Sequence, residues 1–225
     1  GITLHEIQME RRPSVRQDMV AMLDWVRLLR ALRPDVIVVG TPKAGLLGIL
    51  AAKWAGIKNR VYLVHGLRLE GMLGLRVVVA SFAEWVACTA ATQVVSVSSS
   101  LKTAMVNRHL VKSRKCRVIQ RGSANGVDLV KFYPPSPEDR VRARFDFGLR
   151  ANSQVIGFAG RLTTDKGICD LLVAMQLVRS NFPEAHLLVA GAEDATTPLP
   201  KSTSRLLDAP GIIELGHFED MPKFF

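Results

Sequence analysis

The chain has 225 residues, 48% of them hydrophobic and 22% charged, with a net charge of +10. That size and mixture read as one large or two small globular domains, and the apolar run 77–83, between Arg76 and Glu84, is too short to span a bilayer. The opening GITLHEIQMERRP has no secretory leader pattern, and three isolated cysteines (Cys88, Cys116, Cys169) argue against disulfides and zinc and for a reducing cytoplasm.

In chain order, strands and helices alternate, which predicts a layered α/β fold with parallel strands. A short strand is expected over 2–8. Met19, Met22, Leu23, Val26 and Leu29 recur at helical spacing and predict a helix over 15–33, stopped by Pro34. VIVV follows as a strand, then a helix from Gly45 to Ala55 and the strand VYLV. A helix over 73–91 leads to the strand QVVSV, and Ser98 to Ser100 offer hydroxyls to cap the next helix. The strand CRVIQ (116–120) closes this half. A breaker cluster at 134–137 and a charged helix over 137–147 read as a connector. The second half offers the strand VIGFA, a helix over 167–181, the strand HLLVAG, a polar loop at 192–203 and a strand near 212–215.

Charge divides the same way. Residues 1–133 carry 20 Lys/Arg against 8 Asp/Glu, a net +12, whereas 134–225 carry 10 against 12. Between Lys102 and Arg121 lie seven basic residues and no acidic one. Such a face attracts a polyanion or an anionic membrane, or is simply solvated. Nucleic acid is set aside, because no helix-turn-helix, zinc finger or aromatic-rich sheet motif accompanies the charge.

The most informative stretch is VIGFAGRLTTDKGICDLLVAMQLV, residues 155–178. An apolar strand ends at Gly160, Arg161 and Lys166 follow in a polar turn, and Gly167 opens an amphipathic helix. A helix mouth has unpaired N–H donors and a positive dipole end, so it draws anions. Two cations five residues apart can flank one pyrophosphate, and a side chain at Gly160 would hinder its approach. Without other information an ordinary solvated turn fits equally well. The turn is neither a Walker A loop nor a dinucleotide GxGxxG fingerprint.

GRLTTDKG (160–167) resembles the donor-phosphate motif GRLxxxKG of retaining family-4 glycosyltransferases. NGVDLVKFYP (125–134) is similar to that family's interdomain segment. TPKAGLLG (41–48) and VYLVHGLR (61–68) look like acceptor-domain motifs of its polysaccharide-building bacterial members. The resemblance implies a GT-B fold, α/β, with two Rossmann-like domains facing a cleft, both incomplete here. The implied domains are an acceptor-binding one at 1–133, a connector at 134–151 and a donor nucleotide-sugar domain at 152–225. It also implies a missing first strand with its glycine-rich loop. The family's Glu-x7-Glu donor motif would fall beyond Phe225, which leaves this piece a poor donor binder without turnover.

The resemblance assigns Arg161 and Lys166 to the donor phosphates, beside Gly160. It places a histidine, here His65 at the end of VYLV, against the donor sugar, where an imidazole can make one hydrogen bond to a hydroxyl. A histidine bonded to backbone is the plainer alternative. Glu193, Gly216, His217 and Phe218 fall where relatives contact the nucleobase. Lys43 either meets the phosphate of a lipid-diphosphate acceptor or is solvated, and Gly45 permits tight helix packing or acceptor approach. The chain departs from the polysaccharide-building pattern in having Val38 and Gly40, where relatives have histidines, which leaves acceptor identity open. No DxD motif or metal-spaced cluster appears, so no metal or other cofactor is expected: fixed cations and a helix end would neutralise the leaving pyrophosphate. The implied partners are a nucleotide sugar, a lipid-linked or polysaccharide acceptor and the inner face of the cytoplasmic membrane. Two rivals are an inactive scaffold of the same fold that binds membrane or polyanion, and a nucleotide-sugar 2-epimerase, for which no convincing carboxylate base appears.

Overall fold

A computed structural model describes residues 1–9, 14–67, 69, 72–123, 125–194 and 197–225. The chain divides into two units, Gly1–Gly126 and Val127–Phe225, each built on its own parallel sheet. Among the described residues no helix is long and apolar enough to cross a membrane.

The first unit runs α1 (Val15–Leu32), β1 (Val36–Gly40), α2 (Pro42–Trp54), β2 (Asn59–Val64), α3 (Leu75–Ala90), β3 (Gln93–Ser96), α4 (Ser99–Asn107) and β4 (Cys116–Val118). The sheet order is β1-β2-β3-β4, all parallel. α1 stops where Arg33 turns left-handed (φ 46°) and returns its N–H to the Leu29 carbonyl, since Pro34 cannot continue a helix. α2 starts three residues earlier than its periodicity suggests, because Pro42 occupies a first-turn position where its missing N–H costs nothing. The Ser98 hydroxyl accepts the Leu101 N–H at 3.1 Å and caps α4 as expected. Ile37 and Val39 of β1 are buried in a core with Tyr62, Val94, Ile49 and Met105. Val36 and Val38 point from the other face and are exposed.

The strand expected over 2–8 does not form. Residues 1–9 carry no regular structure, and Ile2 and Leu4 face solvent. An alternating sequence becomes a strand only when a neighbour completes its ladder, and among the described residues none pairs with this segment.

The second unit runs α5 (Pro137–Asp146), β5 (Val155–Ala159), a 3-10 turn (Thr164–Lys166), α6 (Ile168–Asn181), β6 (His186–Ala190), α7 (Lys201–Ser204), β7 (Ile212–Gly216) and α8 (Met221–Phe224). Its sheet order is β5-β6-β7. Leu162, Ile168, Leu172, Met175, Leu187 and Val189 form its core. The Ser136 hydroxyl accepts the Asp139 N–H to cap α5. At the other end of α5, Asp146 pairs with Lys223 of α8 at 2.7 Å, and the Phe147 ring meets Phe218 edge-on. The polar loop expected at 192–203 runs into the short helix α7.

Candidate functional site

The carboxyl ends of β5, β6 and β7 open into a cavity of about 610 Å³. Gly160, Arg161, Glu193, His217 and Phe218 all line it, brought together from three separate strand-end loops. Backbone bonds close the loops on one another: Gly160 N–H donates to the Ala190 carbonyl (2.9 Å), Leu162 N–H to Ala192 (3.0 Å) and Gly191 N–H to Gly216 (2.7 Å). Gly216 thus shapes the cavity through its carbonyl without lining it. Leu162 and Thr163, both fully buried, anchor the turn after Arg161. Lys166 ends that turn, is exposed and lies outside the lining. No side chain caps α6 at Gly167, which leaves the first-turn donors of a fourteen-residue helix beside the turn.

Arg161 sets the electrostatics. Its Nη1 lies 2.6 Å from Oδ2 of Asp194, an ion pair in which Arg161 is 61% exposed and Asp194 only 15%. A guanidinium has five N–H donors in a planar fork, so a partner on one edge leaves the other directed to solvent. The Ser204 hydroxyl donates to Oε1 of Glu193 at 3.3 Å. Phe218 is steadied by Phe147, with ring centroids 5.6 Å apart. Sequence reasoning missed Asp194 and Gly191; both stand in GAED beside the chosen Glu193, and a glycine after an apolar strand was the available signal.

In the first unit the expected residues also collect at strand ends. His65 follows β2, is exposed, and lays its imidazole across Gly40 at the end of β1. Lys43, in the first turn of α2, reaches Oδ1 of Asp18 on α1 at 2.6 Å, and the Asp18 carboxylate also accepts the Ser14 N–H. Lys43 is therefore ion-paired and mostly covered rather than freely solvated. Gly45 lies against the Tyr62 ring so closely that any side chain would enter it, which makes tight helix packing its role in the fold. Between Gly40 and Pro42, Thr41 holds φ 64°, a left-handed conformation a β-branched residue adopts only under constraint. Arg68, the last residue of VYLVHGLR, lies outside the described residues. Among the described residues no group of three or more His, Cys, Asp or Glu side chains is placed to hold a metal ion.

In the same unit, Glu84 of α3 is buried beside the Tyr62 hydroxyl. Burial raises the Glu84 carboxyl above its ordinary value, raises the Tyr62 hydroxyl, and pushes the Cys88 thiol up to about 12.

Residues 1–130 match the sequence profile of Glycosyltransferase Family 4. Over 222 residues the chain is 31% identical to the capsular polysaccharide biosynthesis glycosyltransferase CapM of Staphylococcus aureus, covering 98% of this chain and 58% of that protein. It is 28% identical over 184 residues to the UDP-Gal:alpha-D-GlcNAc-diphosphoundecaprenol alpha-1,3-galactosyltransferase of Escherichia coli, covering 80% of this chain and 46% of that one. The fold matches Anabaena HepE, solved in complex with UDP and glucose, with a TM-score of 0.66 at 20% identity, covering 91% of this chain and 53% of HepE. The expected α/β fold of GT-B type is borne out, and the chain spans about half the length of the curated relatives it matches.

Proposed function

This chain belongs to Glycosyltransferase Family 4, and we propose that it serves the transfer of a sugar from a nucleotide-diphosphate donor to a lipid-linked or polysaccharide acceptor in cell-surface polysaccharide synthesis. The observation that carries this reading is the cavity at the ends of β5–β7, where Gly160, Arg161, Glu193, His217 and Phe218 converge. The capsular polysaccharide glycosyltransferase and the galactosyltransferase named for alpha-D-GlcNAc-diphosphoundecaprenol, both among its relatives, support the acceptor class. UDP in HepE supports a nucleotide donor.

Departure of a nucleoside diphosphate loads negative charge onto its phosphates, and a fixed cation aimed at that charge lowers the barrier. In this reading Arg161 supplies it, held on one edge by Asp194 and open on the other. Lys166 is the second cation, and the uncapped start of α6 adds its N–H donors. His65 gives one hydrogen bond to the donor sugar. The leaving phosphate takes the acceptor proton on the same face, which retains the anomeric configuration and needs no metal. Lys43 would meet a lipid diphosphate by exchanging Asp18 for it. The protein would work at the cytoplasmic face of the membrane.

Calorimetric titration of the full-length protein with UDP, GDP and ADP, beside Arg161→Ala, tests the reading. Binding of one nucleotide that is lost on substitution supports it and names the base. No binding by folded protein overturns it in favour of a scaffold, and epimer formation without acceptor would identify an epimerase.

A further inference from the structure

The α1–β1 and α2–β2 loops border a recess of about 500 Å³ at the amino end of the first sheet, opposite the strand ends that carry Thr41 and His65. Three cations line it, Arg30, Arg33 and Lys58, against one acid, Asp35. Among the described residues none of these three cations forms an ion pair or a side-chain hydrogen bond. The walls are fixed by bonds between and within the loops. Asn59 Nδ2 donates to the Asp35 carbonyl at 2.9 Å, and the N–H of buried Ile57 to the Ala52 carbonyl at 2.9 Å. Arg60 stands behind the α2–β2 loop, its Nη1 donating to the Ile57 and Lys58 carbonyls, and adds a fourth positive charge without lining the recess. We infer that this recess binds a small, multiply charged phosphate compound of the pyrophosphate class.

The backbone singles out Arg33. Both helices that end here are followed by a left-handed residue. After α2 it is Gly56 (φ 81°), the usual choice, but after α1 it is Arg33 (φ 46°). A side chain strains the backbone in that region and glycine does not. An arginine kept where glycine is easier, lining a recess with no protein partner among the described residues, points to a use for its guanidinium. Helix ends do not supply that use for all three cations. Arg30, in the last turn of α1, offsets the helix dipole, whereas Arg33 and Lys58 lie past the last turns of α1 and α2. Like charges brought to one space repel until a counter-charge enters, and a pyrophosphate spreads its charge over enough oxygens to meet all three. A recess also takes a molecule that enters it rather than a surface laid across it. Its volume lies within the range of small-ligand sites, and Pro34, Ala55 and Ile57 offer apolar contact to an organic group carried on the phosphate.

The test is calorimetric titration with inorganic pyrophosphate of the full-length protein carrying Arg161→Ala, which removes the cation of the second unit's cavity. The same protein with Arg33→Gly or Lys58→Gln added is titrated beside it. Saturable binding is expected in the parent, weakened about tenfold by each added substitution. Arg33→Gly is the informative variant, because glycine suits the left-handed position. Its melting temperature should hold or rise while pyrophosphate binding falls, a split that a merely structural arginine would not produce. No pyrophosphate binding in the parent overturns the inference, as does equal affinity in the parent and both variants. Equal affinity for inorganic sulfate overturns it too, since that marks a diffuse positive surface. The transferase reading has its own readout, nucleotide binding lost on Arg161→Ala alone, so either proposal can fail without the other.

Discussion

A side chain on Gly191 would run into the carbonyl oxygen of Gly160. The two glycines end adjacent strands, and neither can give way, because Gly160 N–H is bonded to Ala190 and Gly191 N–H to Gly216. The floor of the cavity is thus backbone against backbone. Gly191→Ala must part these strands, with an expected loss of about 1–3 kcal/mol in urea denaturation and of nucleotide binding in titration. Wild-type values in both would refute the close approach.

Arg161 and Asp194 should respond in opposite directions. Arg161→Ala removes charge-assisted hydrogen bonds and should weaken nucleotide-diphosphate binding by about 10- to 100-fold. Asp194→Asn keeps an oxygen for the guanidinium but deletes a carboxylate that competes with phosphate. Binding should tighten by about fivefold. Weaker binding in Asp194→Asn would mean that the full charge is needed to hold the guanidinium in place.

Gly45→Ala is expected to damage the first unit alone. The new methyl group meets the Tyr62 ring in a filled core, at a cost of about 1–3 kcal/mol. Nucleotide affinity should stay at the wild-type value, because every residue lining the cavity belongs to the second unit. A parallel loss of affinity would contradict this assignment.

Glu84 gives the first unit a pH dependence with a definite sign. Burial raises its carboxyl above the ordinary value of 4.5, and the neighbouring Tyr62 hydroxyl partly offsets this. The folded state then holds its proton to higher pH than the unfolded chain does. Stability from this group is complete below the ordinary value and is lost as pH rises through the raised one. Cys88, its thiol pushed up to about 12, does not titrate in that window. Glu84→Gln is neutral throughout, so its melting temperature should fall less than that of the unaltered chain between about pH 4 and pH 8. Parallel melting curves across that range would remove Glu84 as the source.

The elements with local signals were legible in the sequence. Periodic apolar residues placed α1 and α6, Pro34 marked the stop after α1, and Ser98 marked a cap that the structure bears out. What depended on distant partners was not legible. Residues 2–8 alternate like a strand but lack a neighbour, and α8, only four residues long, is announced by little more than Asp220 and Pro222. At the candidate site it was the resemblance to family-4 motifs that pointed to Gly160, Arg161, Glu193, His217 and Phe218. The pairing of Arg161 with Asp194, the collision that reserves position 191 for glycine, and the covering of Lys43 by Asp18 arise from contacts between separate loops and helices, which spacing along the chain does not encode.

Among the described residues β1 pairs along one edge, with β2, and carries two exposed valines, Val36 and Val38. The strand at the other end of that order, β4, is three residues long and includes Arg117, features that discourage annealing. A charge placed at Val38 is the substitution that would give β1 the same resistance to edge pairing.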